Sequence, residues 1–264
     1  MVVSFSKYHG AGNDFILLDD RSSSFPCENQ ELIQRLCHRQ RGAGADGLIL
    51  LQAGTLTPYR MRIFNSDGKE AAMCGNGLRC LAAFLRSLGE GSEVLEIESA
   101  EGVHRCRVRG DEISVSLGKP LVKEWGLTLS LNREKIDAHL IHTGVPHVVT
   151  FVSDLKAVDV QQRGREIRNH PSLKPEGANV NFCVVENGEL HLRTYERGVE
   201  QETLACGTGV AAAAIAAQIL YQLQNPVQVI PASGQRMEVE VGSEILLTGP
   251  VAHVFTGKID LFLF

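Results

Sequence analysis

Apolar and polar residues alternate along most of the chain, in short segments separated by glycine-containing turns. Successive side chains of a strand point to opposite faces of a sheet, so this period predicts half-buried, mostly antiparallel strands. In the first half, strands are predicted at SFSKYHG, FILLDD, GLILLQA, YRMRIFN, VLEIES, VHRCRVRG and EISVSLG. In the second half, they are predicted at IDAHLIHTG, HVVTFV, ANVNFCVVEN, ELHLRTYERG, VQVIP, MEVEVG, EILLTGP and VFTGKIDLFLF.

Helical spacing of apolar residues is confined to a few segments. Residues 29–41 and 76–88 follow it, and the alanine-rich run at 208–223 predicts another helix. Residues 163–173 predict a shorter helix or a turn. Residues 118–131 contain a proline and the single tryptophan, and we interpret them as a crossing between two halves of the chain.

The two halves share one pattern around a cysteine. Each runs from a strand through a polar loop to a cysteine, a Gly-x-Gly triplet and an apolar helix, and an internal duplication explains this most simply. It predicts an α/β fold of the α+β type, with two pseudo-symmetric domains, each a mostly antiparallel sheet wrapped around a central apolar helix. The predicted domains are 1–119, which carries Cys74, and 120–254, which carries Cys206. A last strand at about 255–264 is expected to return to the first domain.

Composition and charge narrow the class of protein. The chain has 264 residues, of which 44% are hydrophobic and 22% charged, values typical of a globular protein with a substantial core. Its formal net charge is −5 and it has no long basic run, so nucleic acid is not an expected partner. We see neither the pattern of a signal peptide nor an apolar run long enough for a membrane span, so a cytoplasmic location without a membrane partner is expected.

Seven cysteines are scattered along the chain without a Cys-x-x-Cys pair. This pattern favours reduced thiols over a disulfide framework, and the separation of Cys74 from Cys80 is not the usual spacing of zinc ligands. Most of the cysteines are interpreted as small core residues. For Cys74 and Cys206, that interpretation competes with a functional one, which their repeated context favours. The glycines of residues 42–47 have dinucleotide-motif spacing, but a helix precedes them and a strand follows, so no NAD site is expected.

A cysteine directly before a helix has two chemical advantages. The unpaired N–H groups and the positive end of the helix dipole lower a thiol pKa from about 8.5 toward neutrality, and they can also hold a carboxylate. If the two halves face each other, two such thiols can flank a carbon next to a carboxylate. One thiolate would remove the α-proton from one face, and the other thiol would deliver a proton to the opposite face. Asn76 and Thr208, which lie between the glycines, would add hydrogen bonds there.

A set of short motifs along essentially the whole chain resembles the diaminopimelate epimerase family. The motifs are HGAGNDF near the start, ADG at 45–47, RIFNSDG at 62–68, CGNGLRC at 74–80, GxPH at 144–147, NVNF at 179–182, YERG at 195–198, ACGTG at 205–209 and GPVAHVFTG at 249–257. The resemblance implies two pseudo-symmetric α/β domains with the active site in a cleft, and conversion of LL- to meso-diaminopimelate for lysine and peptidoglycan synthesis. It implies that no cofactor is used.

The resemblance also assigns roles to residues. It implies Cys74 as the proton donor and Cys206 as the proton acceptor in the LL-to-meso direction, with His147 beside the catalytic centre and Glu196 as a further catalytic residue. Substrate contacts are implied for Asn13, Asn65, Gly75, Asn76, Asn179, Glu196, Arg197, Gly207 and Thr208. A small-molecule amino acid is the expected partner, no metal is expected, and a homodimer stays open.

Two positions depart from the family pattern. Val145 stands where the family usually has Asn in GNPH, and Gly47 stands where it often has Gln. The family Asn helps to hold the distal end of the substrate, and one lost hydrogen bond costs about 0.5–1.5 kcal/mol. One alternative is therefore a broader amino-acid racemase of the same fold that also accepts glutamate. A separate alternative, from a different class of function, is a non-catalytic amino-acid-binding protein. A binding protein would use Arg197 and the helix N-termini but would not need two cysteines.

Overall fold

The computed structural model describes residues 2–110, 112–132 and 134–261. The strands are β1 (Val2–Gly10), β2 (Asn13–Asp19), β3 (Gly47–Ala53), β4 (Tyr59–Asn65), β5 (Glu70–Ala71), β6 (Val94–Ser99), β7 (Gly102–Arg109), β8 (Glu112–Ser116), β9 (Leu121–Ser130), β10 (Lys135–His142), β11 (Pro146–Phe151), β12 (Asn179–Glu186), β13 (Glu189–Glu196), β14 (Gln201–Thr203), β15 (Val227–Ile230), β16 (Met237–Val241) and β17 (Ile245–Asp260). The helices are α1 (Gln30–Cys37), α2 (Gly75–Ser87), α3 (Val160–Arg168) and α4 (Gly207–Tyr221), with a 3-10 turn at Pro171–Leu173.

Residue contacts divide the chain into two compact units. The first unit runs to Val115 and resumes at Gly249, and the second spans Ser116–Thr248. The domain boundaries given in the sequence analysis stay a prediction. No helix within the described ranges is both long and apolar enough to cross a bilayer.

In the first unit, strand pairings follow a definite order. β1 pairs with β2 antiparallel, β2 with β3 parallel, and β3 with β4 antiparallel. β4 then pairs with β5 antiparallel and with β6 parallel, and β6, β7 and β8 continue antiparallel. The later part of β17 pairs antiparallel with β1, from Val2 opposite Asp260 to Gly10 opposite Val251.

The second unit repeats this order of pairings. β10 pairs with β11 antiparallel, β11 with β12 parallel, β12 with β13 antiparallel, and β13 with β14 antiparallel and β15 parallel. β15, β16 and the start of β17 continue antiparallel, and β9 pairs with β10 as β17 pairs with β1. The helices also occupy matching places, since α1 and α3 precede the second strand of a parallel pair. The two units are therefore pseudo-symmetric copies, which confirms the predicted fold class.

The central helix of each unit is α2 in the first and α4 in the second. α4 lies against β10, β11, β12, β13, β15 and β16, and residues 207–217 are buried except Thr208. Because alanine presents little side chain on any face, strands can approach this helix closely from several sides. α2 packs in the same way against β1, β2, β3, β4 and β7. On the first unit, α1 contributes Ile33 and Leu36 to a separate core with Leu48 and Phe64.

Among the longer segments, three differ from the sequence prediction. Residues 118–131 contain β9, and the crossing interpretation missed it because most of its residues are exposed, which leaves no alternating pattern. EILLTGP and VFTGKIDLFLF, expected as separate strands, join in β17, which continues through Pro250; residues 262–264 lie outside the described ranges. α1 ends at Cys37, four residues earlier than predicted, because the backbone of His38 is extended.

Candidate active site

Each of the two repeated cysteines is the N-cap residue of its unit's central helix. Cys74 precedes α2 and Cys206 precedes α4, both with an extended backbone (φ −147° and −111°). Gly75 and Gly207 are the first residues of the two helices. The predicted position of both thiols at helix starts is confirmed, and it places them where several N–H groups lack helical partners.

Cys74 lies in a small network of amides. Its sulfur accepts a hydrogen bond from the Gly77 N–H at 3.4 Å, and it lies 3.8 Å from Oδ1 of Asn13. The same Asn13 oxygen accepts from Nδ2 of Asn76 at 3.2 Å, and Asn13 in turn donates to Asp46 at 2.9 Å. Three of the predicted site residues are thus brought together around one amide oxygen.

Arg79 is a residue that sequence reasoning did not single out. Its side chain is fully buried, and it donates to Oδ1 of Asn76 at 2.8 Å. Burial lowers its pKa, but guanidinium groups stay protonated in proteins. The signal was its spacing, because residues three apart share one face of a helix. Arg79 therefore orients Asn76 and adds a buried positive charge on the Cys74 side, which favours a thiolate.

An ion-pair cluster holds the start of β2, which carries Asn13. Lys7 is buried and lies 2.8 Å from the Asp14 carboxylate, and it also donates to the Gly44 carbonyl. Arg39 forms hydrogen bonds to both Asp14 and Asp46, at 2.9 Å and 2.6 Å. Burial opposes ionisation of Asp14, but the hydrogen bonds from Arg39 and Lys7 outweigh it and hold its pKa at about 2.

We expect Asp14→Asn to destabilise the protein by about 2 kcal/mol at pH 7, since the ordinary carboxyl pKa lies almost two units above the folded value. A pKa that is lowered on folding stabilises the protein above the unfolded pKa, and this contribution is lost as pH falls from about 5 to 2. Urea unfolding at several pH values measures the difference between wild type and variant. The difference in unfolding free energy between wild type and Asp14→Asn should shrink toward pH 3. Asp67→Asn, an exposed control, should change the unfolding free energy little at any pH. A pH-independent difference would contradict this assignment.

The remaining predicted residue of the first unit lies at the end of a strand. Asn65 is the last residue of β4, its side chain is exposed, and it lies opposite Gly47 of β3. Its contact with substrate stays a prediction.

Cys206 belongs to a different hydrogen-bonded network. Its sulfur lies 3.5 Å from the hydroxyl of Thr208, which lies 2.9 Å from Nε2 of His147. His147 is fully buried, and burial first, then the positive charges of His142 and Arg197, lower its pKa to about 3. The imidazole is therefore uncharged near neutral pH. Thr143 adds a hydrogen bond to the Thr208 carbonyl at 2.8 Å.

Asn179 links this network to the turn after β13. It lies opposite His147 in the parallel pair of β11 and β12, and its Oδ1 accepts from the Arg197 N–H at 2.7 Å. The Arg197 guanidinium donates to the Glu176 carbonyl at 3.1 Å. Glu196, the last residue of β13, accepts from the Thr203 hydroxyl at 2.9 Å. The substrate roles of these residues stay predictions.

Asn181 and Thr194 are buried polar residues of the second unit that the sequence analysis missed. Asn181 lies 3.2 Å from Nδ1 of His147 and accepts from the Thr194 hydroxyl at 2.9 Å. The available signal was the spacing of Asn179 and Asn181, because residues two apart in a strand share one face. Two amides on the buried face of an apolar strand require partners.

Four of the other cysteines are buried core residues, and Cys27 is half-buried. Burial raises the pKa of the Cys37 and Cys106 thiols to about 12, and it raises the pKa of Cys80 and Cys183 as well. These four groups stay protonated and unreactive. In the part of the chain that the structure describes, no three His, Cys, Asp or Glu side chains are grouped as metal ligands would be. Residues 42–47 connect α1 to β3, as predicted.

Comparison with known proteins identifies the family. The sequence matches the family model for diaminopimelate epimerase over residues 5–122 and 139–254. This chain belongs to the diaminopimelate epimerase family. It is 38% identical over 272 residues to diaminopimelate epimerase of Methanocella arvoryzae, which covers 98% of this chain and 97% of that protein. The enzyme of Rippkaea orientalis is 39% identical over 284 residues, with 99% and 100% covered. The chain is therefore an isomerase of the epimerase type.

Solved structures with the same fold include more distant proteins. A hydroxyproline epimerase from Agrobacterium vitis superimposes with a TM-score of 0.72 at 15% identity, covering 98% of this chain and 92% of that one. A phenazine biosynthesis protein of the PhzF family from Bacillus anthracis gives 0.76 at 15% identity, covering 98% and 99%. At this identity the similarity shows a shared fold alone.

Proposed function

We propose that this enzyme inverts one α-carbon of LL-diaminopimelate to give the meso isomer, with Cys74 and Cys206 as acid and base. The observation that carries the proposal is the repeated thiol: each pseudo-symmetric unit presents one cysteine at the start of its buried central helix. The family relationship supports diaminopimelate as the substrate.

Each thiol is suited to proton transfer by its position. N–H groups at a helix start lower the pKa of a nearby thiol toward working pH, where a group serves equally as acid or base. In the LL-to-meso direction, the Cys206 thiolate takes the α-proton and the Cys74 thiol supplies a proton to the opposite face. The two cysteines exchange roles in the reverse direction, and no prosthetic group is used.

The charge that develops during the reaction also needs stabilisation. Removal of the α-proton moves negative charge into the adjacent carboxylate, and backbone N–H groups at helix starts are fixed donors for such charge. Gly75 and Gly207 have no side chain that would cover the N–H groups at the first position of each helix. Arg197 and Glu196, for which the family resemblance implies substrate contacts, are proposed from their charges to bind the carboxylate and the amino group of the substrate, respectively.

The proposed biological setting is the synthesis of lysine and peptidoglycan precursors in the cytoplasm. A two-thiol mechanism requires both cysteines to be reduced, and the cytosol maintains thiols in that state.

Deuterium incorporation tests the mechanism. In D₂O, we expect early meso product to carry deuterium at the inverted carbon, while unreacted LL substrate remains unlabelled, because separate groups remove and deliver the proton. A single group serving both faces would return deuterium to the substrate as well. Early label in recovered LL substrate at the level of the product would therefore exclude the two-thiol assignment.

Val145 favours one second candidate, a racemase with broader specificity. If the missing amide relaxes selection at the distal end, wild type will also racemise glutamate, and Val145→Asn will raise the preference for diaminopimelate about 2- to 10-fold, the value of one hydrogen bond. The ratio of the two kcat/KM values in both proteins measures this. An unchanged ratio would remove the basis for the broader activity.

A further inference from the structure

Four buried or half-buried polar side chains of the second unit form a continuous chain that ends at Cys206. Thr194, Asn181 and His147 come from adjacent strands β13, β12 and β11, and Thr208 lies in the first turn of α4. The consecutive distances are 2.9 Å from Thr194 to Asn181, 3.2 Å from Asn181 to His147, 2.9 Å from His147 to Thr208 and 3.5 Å from Thr208 to the Cys206 sulfur.

The direction of this chain follows from groups that can only accept. Nδ2 of Asn181 donates to the Val148 carbonyl at 3.2 Å, and its Oδ1 accepts from the Thr194 hydroxyl. The amide orientation is therefore set, and its second N–H points at Nδ1 of His147. That ring nitrogen must be an acceptor. Because a neutral imidazole carries a single N–H, the hydrogen is on Nε2.

Among the described residues, the well-placed acceptor for the hydrogen on Nε2 is the Thr208 hydroxyl at 2.9 Å. The Asn179 amide nitrogen lies 3.5 Å from Nε2, but it is a donor too, since Oδ1 of Asn179 accepts from Arg197. Its N–H instead faces the Pro146 carbonyl at 3.5 Å. With its lone pair engaged by His147, the Thr208 hydroxyl can turn its own hydrogen to Cys206, whose thiolate form can only accept.

Gly209 makes room for this arrangement. A Cβ at this position would lie 2.5 Å from Oδ1 of Asn181, so any larger residue would displace the amide from the helix start. The second glycine of Cys-Gly-Thr-Gly is thus explained by a protein contact. The equivalent Gly77 of the first unit is likewise packed, with a Cβ there 3.1 Å from the side chains of Ile49 and Ile63.

We propose that Asn181 and Thr194 are positioning residues that hold His147 as a fixed N–H donor, so that Thr208 donates its hydroxyl hydrogen to the Cys206 thiolate. In this arrangement His147 exchanges no proton with substrate, and its function is to orient Thr208. The proposal rests on the proposed acid–base role of Cys206. According to this proposal, different groups stabilise the two thiolates: a buried guanidinium beside Cys74, and neutral hydrogen-bonded side chains beside Cys206.

Alkylation of the substrate-free enzyme with iodoacetamide tests this series of hydrogen bonds. Peptide mass spectrometry measures the alkylation rates of Cys206 and Cys74 in one sample. Loss of a hydrogen bond to a charged group lowers the equilibrium constant for forming that group by about a factor of 10 or more. Thr208→Val and His147→Leu should therefore slow alkylation of Cys206 by at least that factor. The rate at Cys74 is the internal control and should change less than about twofold. Thr208→Ser retains the hydroxyl donor and His147→Gln retains an N–H donor, so both variants should keep an alkylation rate at Cys206 close to that of wild type.

The tautomer of His147 provides a second measurement. In ¹⁵N-histidine NMR at pH 7, the His147 signals, identified by their loss in His147→Gln, should show an unprotonated Nδ1 and a protonated Nε2. Asn181→Leu and Thr194→Val should weaken this preference and slow alkylation of Cys206 but not of Cys74.

Three results would overturn the proposal. They are an imidazolium or an Nδ1–H tautomer in wild type, an unchanged Cys206-to-Cys74 ratio in Thr208→Val, and a His147→Gln protein as slow at Cys206 as His147→Leu. Both measurements are made without substrate. They therefore succeed or fail separately from the deuterium experiment on the two-thiol mechanism.

Discussion

Replacing either Cys74 or Cys206 by alanine is expected to lower kcat for epimerisation by a factor of at least about 10³, within the range that a general acid or base contributes. In the proposed mechanism each thiol serves one face of the α-carbon, so neither can substitute for the other in inversion. A serine replacement should be nearly as damaging, because a hydroxyl pKa is too high for a base at neutral pH. Conversion of LL to meso isomer, followed by chiral chromatography, measures the loss.

The two variants should differ in proton exchange. In Cys74→Ala, the remaining Cys206 can remove and return the α-proton of the LL isomer, so we expect deuterium exchange without inversion. In Cys206→Ala, exchange should occur instead at the corresponding carbon of the meso isomer. Cys27→Ala, a change at a half-buried cysteine, is the matched control and should keep full activity. Inversion at the wild-type rate in either active-site variant would rule out the mechanism.

Arg197→Gln is expected to reduce kcat/KM for diaminopimelate about 100-fold or more, because two charge-assisted hydrogen bonds to the substrate carboxylate would be lost. The structure already holds the backbone of this residue through Asn179 and one guanidinium nitrogen through the Glu176 carbonyl. Little side-chain ordering therefore remains to be supplied on binding. Initial rates over a range of substrate concentrations measure the effect.

Arg197→Lys separates charge from geometry. Lysine keeps the positive charge but cannot form the bidentate pair, so its kcat/KM should fall between those of wild type and Arg197→Gln. Arg165→Gln removes an exposed arginine from α3 of the same unit and should leave kcat/KM unchanged. If Arg197→Gln has the kinetics of this control, another group binds the carboxylate.

Several strands could be predicted from sequence because their burial is one-sided. β7 alternates buried and exposed residues almost perfectly, and the period-2 pattern locates it within one residue. The helix α4 was equally clear from its long alanine run. β9 was missed because its side chains are mostly exposed, and the short strands β5 and β14 are too brief to show any period.

The site was predictable where the signal was repeated and local. The duplicated Cys-Gly-x-Gly located both thiols at helix starts, and this required only the chain's own internal comparison. Asn181 and Thr194 were not found, because their importance depends on the pairing of β12 with its neighbouring strands. Arg79 was not found although its partner Asn76 lies one turn away in the same helix, because its burial depends on the strands packed around α2. Asn181 acquires its meaning only from the register that places it beside β11 and β13. Such register is set by the whole sheet and is not visible in any one segment.

The path of β17 has a consequence for the order in which the chain can fold during synthesis. The strand pairs with β16 at its start and with β1 over its later part, where Asp260 lies opposite Val2. The ribosome releases β1 before the second unit, but the strand that covers its edge follows the second unit in sequence. An unpaired edge is a site for association with other chains. The first unit therefore completes its sheet only after the second unit has been translated. Until then, the β1 edge must be protected from association with other chains.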